Sequence, residues 1–480
     1  MSSANGDAGR SLPRKAFFGY AVGFLGPNAL LSLVNVLLVN YYMLVVGLDP
    51  VLSGAGLSLG LVTYAVLSLV FGNLSDNASG GLARKHGKRR PFMALALPPM
   101  AVFFALLWVP PVKPATFWAP DWATAAWLWT FSVAFHAAFS AFSPPYWALM
   151  AEITKDQDER VKLSVAQNLI NLVGIVVSVL VPIVLFSAVE TSAGGEFSDA
   201  LFYGLGPNSD GVKIIAQMAL LGAAFAVTSV TTVLVTCMTV PEAPASARPA
   251  VKPSFREFLK EVAHPVTRDR SHAWYQGANF SFNVALRVIM AYVLIFVGDQ
   301  MGLRGAEWFA FTGLVTGAAV AGFVAWDRLK TTVGLKRAFS TCLVLTTAAL
   351  LASGAMLFVH SHAARVGLGT VLSAFLVVAL VGMLVFPNPI ISALVDRRAA
   401  GVDPERADRL AGAYQGVNLF VLNLSNALAN VFYAAAYEAL KSLGPLGGGD
   451  ASVLLLPLSA TFVALGAVAF RAVHVDSVGA

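Results

Sequence analysis

Charge is scarce in this 480-residue chain: Asp, Glu, Lys and Arg make up 12% of it, while 57% is hydrophobic. Soluble domains carry about twice that share of charge, so a water-facing globular protein is excluded. Cysteine is nearly absent. Cys237 and Cys342 both lie inside apolar runs, which rules out a disulfide framework, a zinc site and a redox pair. Acids are missing where they would matter most, because all twenty-six Asp and Glu fall in loops or near the ends of apolar runs. Phosphate chemistry by a prenyl or glycosyl transferase needs clustered acids to hold Mg²⁺. The only close group, Asp156, Asp158 and Glu159, sits in one basic loop. No enzyme, cofactor or resident metal is therefore expected.

What the chain does have is apolar length. About twenty residues cross a hydrocarbon core, and on that basis the spans are roughly 17–46, 51–74, 91–111, 122–150, 163–189, 213–239, 273–298, 307–326, 338–359, 367–395, 410–438 and 452–473. The first run is too long for a signal-peptide core. Gly72 to Pro91, pinched between spans two and three, holds Arg84, Lys85, Lys88, Arg89 and Arg90. Apolar spans on both sides leave this patch nothing large with which to bind nucleic acid. Of the thirty-two Lys and Arg, twenty-six fall on the amino-terminal side of the membrane and five on the other, with Arg287 inside span seven. Because basic loops stay inside, the expectation is a multi-pass protein of the plasma (cytoplasmic) membrane with both termini cytoplasmic.

The longest loop, 240–272, opens with a Pro/Ala linker. It then reads as a short helix capped by Ser254 and Glu257, with Phe255, Phe258, Leu259 and Val262 on one face. Such a helix lies on the membrane surface or serves as a soluble connector. The loop divides six spans from six, and the halves echo each other. Asp76, Gly87, Lys88 and Arg89 after span two recur as Asp327, Gly334, Lys336 and Arg337 after span eight. Pro145 precedes Glu152 by seven residues, as Pro389 precedes Asp396. The fold expected is an all-α membrane protein, twelve transmembrane helices in two pseudo-symmetric six-helix bundles. These are 1–239 and 273–480, joined by a cytoplasmic linker over 240–272, the architecture of rocking secondary transporters.

Polar side chains inside spans mark the candidate site, because lipid tolerates them only against a partner or a wet cavity. His136, Ser140, Ser143 and Trp147 fall within about 40° on span four, a stripe suited to the hydroxyls and C–H faces of a sugar. The alternative for His136 is a bond to a neighbouring helix. On span seven Asn279, Asn283 and Arg287 repeat every fourth residue, one turn after Gln276. Arg287 points at a cavity or acts as a strut between helices. Span one carries Asn28, Ser32 and Asn35 after a break expected at Gly26-Pro27. Span five carries Gln167 and Asn171, and span eleven carries Gln415, Asn418, Asn423, Asn426 and Asn430. Single amides often only glue helices together. Stripes from both halves point instead to a small molecule bound between them.

The stretches NYYMLVVGLDPVLSGAGLSLGL, GNLSD…GKRRPF, PPYWALMAEITKDQDERVKLSVAQNLINLVG and PNPIISALVD…RLAGAYQG resemble the glycoside–pentoside–hexuronide:cation symporters. These belong to the major facilitator superfamily and include the melibiose carriers; the plant sucrose carriers are similar. The resemblance implies a sugar or glycoside carrier that works by alternating access. It also implies gating charge pairs at Asp76, Arg89, Glu152 and Arg160, with Asp396 and Arg409 in the second half. Ordinary headgroup anchors are the other account of these charges. The chain departs from the family where acids would hold a coupling cation, because Tyr64 and Ser68 stand at those positions. Asn28 and Ser143 likewise replace acids that the family uses for sugar. Sodium prefers a carboxylate among its ligands, so a proton is the favoured coupling ion, with His136 the mid-membrane group able to take it. Uncoupled facilitation stays open. The rival expectation is an exporter or flippase-like carrier of amphipathic compounds or lysolipids, favoured by an apolar lining around Trp129, Phe139, Phe142 and Trp147.

Overall fold

The computed structural model describes residues 13–76, 81–111, 121–154, 209–242, 267–303, 306–399, 404–446 and 449–474. It also describes 78, 159, 260 and the short stretches 162–164, 166–167, 169–171, 173–174 and 177–178. The capped helix expected at 254–262 lies outside them apart from Lys260.

Backbone groups in hydrocarbon must be satisfied within their own segment, so each apolar run folds as a helix. Ten helices among the described residues are long and apolar enough to cross a membrane. Span seven, Arg270–Ile295, is not among these ten; Gln276, Asn279, Asn283 and Arg287 lower its hydropathy. The described residues between 162 and 178 are helical as well.

Span one breaks earlier than expected. It runs as Arg14–Gly23 and Leu25–Asn40, with Phe24 outside both helices. The proline is still the reason: the Pro27 ring crowds the carbonyl four residues before it, which is that of Gly23. Gly26 has a different role, since a Cβ there would collide with the Ser229 backbone of span six. Spans one and seven, the first of each half, both end in a π-turn, Tyr41–Val46 and Phe296–Gln300. A left-handed glycine follows each, Gly47 at φ 85° and Gly302 at φ 63°.

The sequence echo after spans two and eight has a backbone counterpart. Gly87 and Gly334 both take positive φ, 93° and 86°, a conformation that glycine adopts without steric cost. At Gly87 a side chain would also strike Glu242, whose carboxylate accepts the Arg89 and Arg90 N–H groups at 2.7 and 3.1 Å. An acid from the end of span six thus caps the start of span three, Arg90–Leu107, and meets the positive end of its dipole.

In the first half, span four (Trp122–Ile153) packs on span two (Pro50–Asp76) and on span three, while span six (Ser209–Thr239) packs on spans one and three. In the second half, span seven packs on span eleven (Pro404–Ser442) and on span twelve (Leu455–Arg471). Span ten begins as His362–Val385, breaks at Phe386 before Pro387, and continues as Pro387–Ala399. It packs on span eight, Ala306–Val333, and on span nine, Leu335–Ala352. Between the halves, span two packs on span eleven and span one on span seven.

Candidate functional site

The halves meet at the end of the helices opposite the 84–90 basic loop. Ser58 Oγ donates to the Ala427 carbonyl at 2.5 Å. Asn40 Nδ2 donates to the Ala291 carbonyl at 3.0 Å, and the Tyr433 hydroxyl donates to Asn40 Oδ1 at 2.9 Å. Gly54 allows this approach, because a Cβ there would stand 2.6 Å from the Asn430 carbonyl oxygen. Of these residues only Asn430 belonged to the expected stripes. For the others the only signal in the sequence was a lone amide or hydroxyl near the end of an apolar run.

Deeper in, span four presents His136. Its Nδ1 lies 2.8 Å from the Ser132 carbonyl, which makes Nδ1 the protonated nitrogen of the neutral ring and leaves Nε2 an acceptor. Nε2 and the Ser132 hydroxyl have no hydrogen-bond partner among the described residues. Span two makes room for the ring at Gly60, where a Cβ would collide with the imidazole. Ser140, further along the stripe, donates to the His136 carbonyl at 2.6 Å. Ser143 and Tyr64 share a hydrogen bond at 3.0 Å. Ser68 donates to the Ala65 carbonyl at 3.2 Å, so both positions of the expected cation site are satisfied within the protein.

On span seven the expected stripe is a ladder. The side chains of Gln276 and His272 meet at 2.9 Å, and Asn279 donates to Gln276 Oε1 at 3.3 Å and to Asn418 Oδ1 at 2.9 Å. Asn283 donates to Asn279 Oδ1 at 2.7 Å and to its carbonyl at 2.8 Å. Arg287 ends the series. Its Nε donates to Asn430 Oδ1 of span eleven at 3.1 Å, while Nη2 has no partner among the described residues although the side chain is only 9% exposed. Asn423, expected to face the cargo, donates to the Leu419 carbonyl of its own helix at 2.9 Å.

The third group comes from spans one and five. Asn28 donates to the Asn171 carbonyl at 3.4 Å, and buried Gln167 Nε2 and Asn171 Oδ1 have no partners among the described residues. Asn35 is half-buried. Trp147 is 44% exposed, its ring 4.8 Å from that of Phe24. Phe139 and Phe142, expected to line an apolar chamber, are fully buried among Phe24, Tyr64, Phe135 and Tyr146, so they are packing rather than lining. The Trp129 indole donates to the Leu52 carbonyl at 2.9 Å.

The two ionisable side chains that the sequence places inside spans, one from each half, are both buried: His136 at 0% and Arg287 at 9% exposure. The unpartnered atoms of spans four, five and seven differ in kind. Arg287 Nη2 and Gln167 Nε2 donate, His136 Nε2 and Asn171 Oδ1 accept, and Ser132 Oγ does either. Buried polar groups in a native protein are normally satisfied, so a hydroxyl-rich molecule matches what these atoms offer.

The gating charges separate differently. Arg89 is buried, with its backbone on Glu242, and Asp396 is exposed. Arg160 and the side chains of Asp76, Glu152 and Arg409 lie outside the described residues. A pair that was not expected is Asp269 with Arg397, at 3.0 Å. Asp269 caps span seven by accepting the Ser271 and His272 N–H groups, and it also accepts the Tyr414 hydroxyl at 2.7 Å. Burial by itself would raise its pKa; the Tyr414 and His272 hydrogen bonds and the Arg397 charge outweigh that and hold it below the ordinary value.

A helical body with this many apolar spans, and with polar groups gathered between them, is that of an all-α multi-pass membrane transporter. The chain belongs to the MFS/sugar transport protein family, whose model matches residues 19–438. An uncharacterised symporter of Synechocystis sp. is 23% identical over 180 residues, which are 38% of this chain and 32% of that relative. The match therefore spans about a third of the length of the curated relative. Among solved structures, the nucleoside transporter NupG aligns at TM-score 0.63 and 11% identity, over 96% of this chain and 98% of that one. The inward-open xylose transporter XylE from E. coli aligns at TM-score 0.54 and 12% identity, over 93% and 94%. The family and these structural relatives are transporters, not enzymes.

Proposed function

We propose that this protein is a secondary transporter of a sugar or glycoside, working by alternating access between the halves 1–239 and 273–480. One observation carries the reading: buried side-chain atoms of both hydrogen-bonding kinds on spans four, five and seven have no partner among the described residues. A sugar offers hydroxyls that donate and accept at once, and carriers of this architecture bind cargo between their halves near midplane. The names of the relatives, a symporter, a nucleoside transporter and a xylose transporter, support a small hydroxylated cargo.

The distribution of Lys and Arg supports placing the basic-loop end in the cytoplasm and the protein in the plasma membrane. The closed end at Asn40, Ser58 and Tyr433 would then face outward. Tyr64 and Ser68 offer a sodium ion no carboxylate, so a proton taken at His136 Nε2 is the coupling route proposed. The packed positions of Phe139 and Phe142 weaken one support for a carrier of amphipaths, the apolar lining.

The test is uptake of radiolabelled mono- and disaccharides into proteoliposomes, with a proton or sodium gradient imposed. Saccharide accumulation driven by the proton gradient is expected. Vesicles that ignore every saccharide but move lysolipids or other amphipaths would overturn the reading.

A further inference from the structure

A cavity of about 160 Å³ lies inside the second half, and none of the polar groups described above lines it. Span seven packs on spans eleven and twelve and span ten on spans eight and nine; the cavity is the gap between these two sets. Ile289, Ala349, Leu380 and Leu456, all buried, form its inner wall. Met290 and Val293, near the end of span seven, are 38% and 39% exposed and form its open side. Two of the lining side chains are polar, Ser353 and Ser373, and Ser353 already donates to the Leu350 carbonyl at 2.6 Å. Water or a sugar hydroxyl would find too few partners there. The lining comes from the ends of spans seven and nine and the beginnings of spans eight, ten and twelve. The cavity therefore sits at the same end of the molecule as the seam between the halves.

Apolar surface leads from the cavity to the outside of the protein. On span ten Leu372 and Leu376 line it, while Val371 and Phe375, each one residue earlier, are exposed. On span eight Phe311 and Val315 line it, while Leu314 is exposed. In a membrane-spanning chain, exposed apolar side chains of this kind meet lipid tails, so hydrocarbon stands at the rim. We propose that the cavity is a lipid site, in which the acyl chain of a membrane lipid enters beside Met290 and Val293 and lies between spans seven and ten. An apolar cavity of about 150 Å³ takes a benzene-sized molecule, so roughly six carbons of the chain fit. The gain is van der Waals contact, which wall atoms facing a void forgo. The chain has a mechanical consequence as well. Ala291, between Met290 and Val293, is the residue whose carbonyl accepts Asn40 Nδ2 across the seam. A filled cavity braces the end of span seven from behind, against that seam. The proposal does not depend on the nature of the cargo.

The experiment reconstitutes the full chain in phosphatidylethanolamine vesicles that contain a phosphatidylglycerol with a diazirine at the end of one acyl chain. Photolysis followed by peptide mass spectrometry should label 289–293 and 372–380 several-fold more strongly than the exposed apolar face of span six at Leu220 and Val227. Ala349→Leu and Ala349→Phe put carbon into the cavity. Each should cut the cavity label about tenfold, with the span-six label unchanged and the melting temperature in detergent equal or higher. The leucine variant guards against the phenylalanine one failing to fold. Cavity label no stronger than that of span six, or undiminished in a folded variant, would overturn the lipid site. So would loss of the label to octyl glucoside, below its solubilising concentration, in vesicles that also transport it, because the cavity would then hold part of the cargo.

Discussion

Arg287 of span seven donates from Nε to Asn430 Oδ1 of span eleven at 3.1 Å. The backbone carbonyl of the same asparagine lies where a Cβ on Gly54 of span two would approach to 2.6 Å. One residue therefore positions the buried cation and also forms part of the seam that shuts one end of the molecule. Closing the seam and orienting the guanidinium are physically connected.

Asn430→Ala should remove the hydrogen bond that orients Arg287 among the described residues. A buried hydrogen bond to a charged group is worth roughly 1.5–3 kcal/mol, so a loss of about ten- to a hundredfold in uptake efficiency is expected. Membrane levels of the protein should be unchanged. Initial-rate uptake normalised to purified protein measures this, and wild-type rates would detach Asn430 from the site.

Gly54→Val should hold the seam apart, because the added atoms would overlap the Asn430 backbone and the Ala434 methyl. The population should shift toward the form open at that end. A cysteine placed at position 58, where the Ser58 hydroxyl now reaches Ala427, should then react faster with a membrane-impermeant maleimide applied to that side. Equal labelling with and without the valine would mean that the seam is not the gate.

His136→Gln keeps a polar side chain but removes the group that titrates. If His136 carries the coupling proton, uptake by the variant should lose the pH dependence that the wild type shows. Proton-driven accumulation should fall with it. A profile parallel to that of the wild type would move the proton elsewhere.

Asp269→Asn tests the clamp at the start of span seven. The native carboxyl has its pKa held below the ordinary value, so its ionised form stabilises the folded protein at neutral pH. That contribution is present above the carboxyl's unfolded pKa and is lost as pH falls through the depressed folded value. Arg397 is 31% exposed, and water screens the pair. A cost of about 1–2 kcal/mol is expected for the variant near pH 7, shrinking in strong acid. Melting temperature in detergent across pH reads both effects.

The spans were legible because hydrocarbon leaves the backbone no alternative to a helix, and length and apolarity mark that in one dimension. Span seven shows the limit of hydropathy alone, since the polar residues that give it meaning also dilute its apolar signal. His136 and Arg287 stood out for the same reason: ionisable groups are rare in spans. What spacing could not show is where each amide spends its hydrogen bonds. Asn279 and Asn418 share a stripe position with cargo-facing residues and yet bond to each other across spans seven and eleven. That pairing depends on the rotation of one helix against another, which no single helix encodes. Likewise Arg397, one residue after the expected Asp396, is the one that finds an acid, Asp269. The break in span one fell at Phe24 because proline acts on the carbonyl four residues behind it.

The central claim is that polar groups of both halves face one watery chamber. Single cysteines at positions 136 and 287, in a protein with Cys237 and Cys342 replaced by serine, test it most directly. Both should be alkylated by a small impermeant thiol reagent applied from the basic-loop side, and a transported sugar should slow both reactions together. Two cysteines that stay inert from that side, or only one that responds to cargo, would contradict the account.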